Sequence, residues 1–127
     1  MTGTTTTPAT MITAPADLNI YEVPRFRRIL RDAIEHGSAD LVIADLTGVE
    51  FTDAVGCGVL VAAQRLAESR GRRLGVACDR EPVLRLFLVL GLTKHFDIRD
   101  SVEAFAVASP AEDETAAVTA GEEQTSA

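Results

Sequence analysis

The sequence predicts an α/β domain, a largely parallel sheet with helices packed on it. Two observations carry that prediction. Short apolar runs of strand length alternate along the chain with longer segments whose apolar residues recur at helical spacing, which implies βαβ crossovers. The clearest run, Leu41-Val42-Ile43-Ala44, shows no polar alternation, as expected of a strand covered on both faces. With 127 residues, 46% of them hydrophobic, the chain suits one core and is too short for two. Aromatics make up only 5%, so Val, Leu, Ile and Ala must fill that core.

The elements follow in order. Residues 1–10 are Thr-rich and read as a flexible segment, part of which, with Met11 and Ile12, suits an edge strand. Val23-Pro24 suits the first turn of a helix, and apolar residues then recur at Phe26, Leu30, Ala33 and Ile34. That helix should end at Gly37 as a glycine C-cap. The Leu41–Ala44 strand closes with Asp45-Leu46, and Asp45 is expected to bond loop N–H groups rather than act in chemistry. A second helix starts after Thr52-Asp53, with Val55, Val59, Ala62, Ala63 and Leu66 on its apolar face, and ends near Arg70-Gly71. Leu74–Cys78 is the next strand. Pro82 opens a third helix through Leu90, apolar on nearly all sides and closed by Gly91; any exposed remainder would mark a partner or dimer surface. Phe96-Asp97-Ile98 is a final short strand, and Val102–Val107 a last helical turn or two. Residues 108–127 lack apolar periodicity and read as a disordered acidic tail, leaving 11–107 as the domain.

Charge and composition exclude several functions. The formal net charge is −7, yet residues 107–127 hold five acids and no base, so the rest of the chain is nearly neutral. No dense basic stripe suggests nucleic-acid binding. The arginines of the first helix, interleaved with Glu22, Asp32 and Glu35, read as a solvated face. No run of membrane-spanning length and no signal-peptide pattern is present, so a cytoplasmic location is expected, consistent with only two cysteines, Cys57 and Cys78, as thiols. His36 and His95 stand isolated, so no metal or cofactor is expected. There is no phosphate loop with Lys, no Ser-His-Asp spacing and no Cys-x-x-Cys, hence no catalytic set and no enzyme.

Leu41 to Leu60, LVIADLTGVEFTDAVGCGVL, resembles the signature of the STAS domain found in bacterial anti-sigma-factor antagonists. Arg70–Leu74, the Val83–Leu92 stretch with Phe96 after it, and Ala16-Asp17-Leu18-Asn19-Ile20 fit the same pattern in order, so the resemblance spans roughly residues 14–107. It implies a STAS-like mixed, largely parallel sheet of four to five strands. It also implies that the protein binds an anti-sigma factor, often a serine kinase, and so releases a sigma factor, with phosphorylation of a Ser after the motif Asp as the off-switch. The position of that Ser is Ala54, which has no hydroxyl, so the usual switch is expected to be missing. Thr52 is the nearest hydroxyl that would substitute. The expected partner-binding residues are Thr52, Asp53, Ala54, Val55, Gly56, Cys57 and Gly58, with the Ala16–Ile20 turn nearby. Asp53 has a plainer reading as a helix cap. Cys57, near a helix N-terminus, has two readings, a redox handle or a small buried hydrophobe. The alternatives to an anti-sigma-factor antagonist are a structural STAS subunit of a transporter accessory or signalling scaffold, and a thiol-sensing module. Partner identity and oligomeric state are not legible in the sequence.

Overall fold

A computed structural model describes residues 8–105. The elements are β1 (Ala9–Thr13), α1 (Val23–His36), β2 (Leu41–Asp45), α2 (Ala54–Ser69), β3 (Arg73–Ala77), α3 (Glu81–Val89), β4 (Asp97–Arg99) and a 3-10 turn at Glu103–Phe105. The strands lie side by side in the order β1-β2-β3-β4. All three pairings are parallel, so the antiparallel component of a mixed sheet does not occur among the described residues.

Parallel neighbours in chain order need one crossover each, and crossovers of a single hand put all three helices on one face of the sheet. Ile12, Val42, Ala44, Leu74 and Val76 face them and share a core with Phe26, Leu30 and Ile34 of α1, Leu60 of α2, and Val83 and Phe87 of α3. The alternate strand residues, Ala9, Leu41, Ile43 and Ala77, form a second cluster beneath Val102 and Phe105. A β-carbon at Gly75 would stand 2.7 Å from Phe105 Cζ, so the bare backbone of β3 is what lets the ring approach the sheet so closely. Covered on both faces, β2 is buried from Leu41 to Ala44, as its unbroken apolar run requires.

One expectation needs correcting, the buried side of α2. β1 takes in Ala9 and Thr10, the end of the Thr-rich segment that suited an edge strand. Gly37 caps α1, with φ −76 and ψ 170 in extended backbone. It is glycine because a β-carbon there would collide with the Ala33 carbonyl. The buried side of α2 is Gly56, Cys57, Val59, Leu60, Ala63 and Ala67, rotated from the stripe read in the sequence. Val55 and Ala62 are exposed and Leu66 is half-buried, because Leu60 packs into the core while Ala62 and Leu66 line the seam with α1. The 3-10 turn at Glu103–Phe105 falls within the stretch read as a last helical turn; residues 106–127, with the tail, lie outside the described residues.

Candidate partner-binding site

Because every strand is parallel, the loops that follow β1, β2 and β3 gather at the carboxyl end of the sheet, where α1, α2 and α3 begin. Two of these loops are stitched together by backbone. Leu18 N–H donates to Phe51 O at 2.9 Å, Glu50 N–H to Ala16 O at 2.7 Å, and Asp17 and Phe51 form an isolated parallel bridge. The Asn19 side chain accepts from the Tyr21 and Glu22 amides at 2.8 and 3.1 Å, which fixes the entry to α1 in place of a cap at Glu22. Arg80 reaches over from the third loop, its Nε donating to Val49 O at 3.2 Å.

Asp53 is the N-cap of α2. Its backbone is extended, and its Oδ1 accepts from the Val55 and Gly56 amides at 3.0 and 3.1 Å, satisfying two otherwise open donors. Asp45 likewise turns its Oδ1 to the Thr47 amide and hydroxyl at 3.0 and 2.7 Å, the structural role expected of it. Thr52 behaves differently: its Oγ1 is buried with no hydrogen-bond partner. A β-carbon at Gly56 would collide with this oxygen and would come within 3.2 Å of Leu18. Gly56 is therefore the residue that lets the Thr52 hydroxyl and Leu18 pack against the first turn.

The seven residues expected to meet a partner divide by burial. Ala54, Val55 and Gly58 are exposed, and Thr52 and Asp53 are half-buried. Gly56 and Cys57 are buried. They shape the surface from below. Burial, with Asp53 as the smaller cause, pushes the Cys57 thiol up to about 11 from an ordinary 9.0. That is the reverse of an activated cysteine. The Cys78 thiol is raised as well, chiefly by burial, and neither cysteine is in a disulfide.

Of the apolar surface around Asp53, sequence reasoning took in Val55 and Ile20 and missed Tyr21 and Phe51. Tyr21 is 82% exposed, Ile20 59%, Val55 51% and Phe51 49%, on two loops tied by the Asp17–Phe51 bridge and on the helix turn that follows. The available signal was a lone Tyr and a Phe placed just before two helix starts, positions where a side chain has little core to join.

The STAS domain family model matches residues 2–105. This chain belongs to the STAS domain family. Over 82 residues it is 33% identical to the anti-sigma-B factor antagonist of Bacillus subtilis (strain 168), covering 65% of this chain and 73% of that protein. The fold also matches the anti-sigma factor antagonist SpoIIAA in its unphosphorylated form, with a TM-score of 0.65 and 22% identity over 80% of this chain and 88% of the other. The phosphorylated form, described as a Bacillus cell fate determinant, gives a TM-score of 0.60 at 21% identity over 80% and 91%. The chain is thus an anti-sigma factor antagonist-like STAS domain. Among the described residues of this STAS domain, no His, Cys, Asp and Glu group could hold a metal ion, and no helix is long and apolar enough to cross a membrane.

Proposed function

We propose that this STAS domain binds an anti-sigma factor of the serine-kinase class in the cytoplasm, so releasing a sigma factor, and that it acts by binding rather than by catalysis. The observation that carries the reading is the exposed apolar set Ile20, Tyr21, Phe51 and Val55 around the capped start of α2. An apolar patch framed by a polar cap is the composition of a partner surface rather than of a solvated loop. The similarity to the anti-sigma-B factor antagonist supports the choice of partner.

The same segment lacks the means to be switched off by phosphorylation. Ala54, at the position of the phosphoacceptor, has no hydroxyl. Thr52 has one, but it is buried beside Gly56, where a kinase cannot reach it while the loop keeps this conformation. The protein therefore stays competent to bind.

Isothermal titration with a purified anti-sigma kinase tests the reading. Wild type should bind, Asp53→Asn should stay within a few-fold of it because an amide oxygen can still cap, and Val55→Glu and Tyr21→Ala should weaken binding by about tenfold or more. Equal affinity for wild type and Val55→Glu would place the contact elsewhere.

A further inference from the structure

α1 and α2 lie side by side on the sheet, and the seam between them is open. A cavity of about 170 Å³ runs there, with Leu30, Val59, Ala63 and Leu66 along its floor and Arg27 and Arg31 on the α1 side. On the α2 side the wall is low: Ala62 is exposed, and nothing lies within 4 Å of where a Gly58 β-carbon would stand. From Ala54 to Ala67 the helix carries no acid and one base, Arg65.

Charge distinguishes this seam from the rest of the molecule. Arg27 and Arg28 make no ion pair or hydrogen bond among the described residues. Glu35, at the far end, serves two guanidinium groups at once, Arg31 at 3.4 Å and Arg70 at 3.2 Å. One carboxylate against two arginines, with Arg27 besides, leaves a positive rim on a chain whose net charge is −7.

We propose that the α1/α2 groove is a docking site for an acidic amphipathic helix of a partner protein. The apolar face of that helix would lie on Leu30, Val59, Ala63 and Leu66, and its carboxylates over Arg27 and Arg31. A second copy of this chain supplies no matching helix among the described residues. α1 is rich in arginine, α2 holds no acid over its first turns, and Glu81 of α3 is paired with Arg85 at 3.0 Å. The groove begins one helical turn beyond Val55, so a partner seated at Asp53 can run on into it, but the docking chemistry is separate from that of the Asp53 surface.

The probe is a labelled synthetic helix of about 18 residues, Leu on one face and Glu on the other, with a Lys-for-Glu counterpart, read by fluorescence anisotropy on the full chain. The acidic helix should bind at least about tenfold more tightly than the basic one, with affinity falling as salt rises. The double variant Arg27→Glu/Arg31→Glu should remove that preference, and Ala62→Trp, which fills the groove from its exposed wall, should abolish binding of the acidic helix. Tyr21→Ala, which should weaken the anti-sigma partner but lies outside the groove, should bind the probe as wild type does, which separates a failure of the groove from a failure of the anti-sigma reading. Equal affinity for both helices, or full affinity in both groove variants, overturns the proposal. So does a tenfold gain on deleting residues 108–127, which assigns the groove to the chain's own tail. Dimerisation that Arg27→Glu/Arg31→Glu abolishes overturns it too, by assigning the groove to a second copy.

Discussion

Asp53 Oδ1 takes two amide protons at the start of α2, while the neighbouring Thr52 hydroxyl is buried with no partner. A buried hydroxyl that makes no hydrogen bond has given up water for nothing, whereas an isosteric methyl loses nothing. Thr52→Val should therefore leave the domain as stable as wild type or raise its stability by up to about 1 kcal/mol, measured by urea unfolding. A loss of that size would mean the hydroxyl has a partner after all. Cys57 gives a pH-dependent counterpart. Its thiol is raised in the fold, so the neutral form is the one the fold favours. The contribution is complete below about pH 9 and is lost as pH climbs toward 11, amounting to at most about 3 kcal/mol. Native protein at pH 8 should react with a thiol reagent at least about a hundredfold more slowly than the urea-unfolded chain. Rapid labelling of Cys57 in the folded state would restore the redox reading.

At the scale of elements, α3 shows how far an apolar sequence can mislead about burial. Phe87 is fully buried and meets Phe96 edge-on, ring centroids 5.7 Å apart, whereas Leu88 and Val89 beside it are 67% and 74% exposed. A nine-residue helix on a sheet buries one stripe, and Val83 and Phe87 occupy it. Phe87→Ala should cost about 3–5 kcal/mol by denaturant unfolding, and Leu88→Glu less than about 0.5 kcal/mol. Comparable losses would mean that α3 is covered on its outer side. α2 carries the same lesson. Period alone placed Val55, Ala62 and Leu66 in the core, but a helix of small residues has a shallow hydrophobic gradient. Leu60, the largest of its inward residues, decides which side faces the sheet.

Across the whole molecule, the order and type of elements were legible because each depends on local pattern. The Leu41–Ala44 run, the prolines at helix starts and the alternation of periods all survive in the structure. The helix start at Asp53 was legible in the same way, since Asp is a common cap. Two things were not, because they depend on contacts between distant parts of the chain. The bridge from Asp17 to Phe51 joins the loop before α1 to the loop before α2 and brings Tyr21 beside the site. The burial of the Thr52 hydroxyl follows from the packing of Leu18 and Thr52 against Gly56. No periodicity along the chain carries such contacts. The proposed function predicts a binding surface that its kinase does not phosphorylate. Incubating the complex with its anti-sigma kinase and Mg-ATP, then weighing it by native mass spectrometry, tests this most directly. Wild type should gain no phosphoryl group and remain bound, while Ala54→Ser should gain one and dissociate. A wild-type chain that takes up a phosphoryl group and leaves the complex would contradict the account.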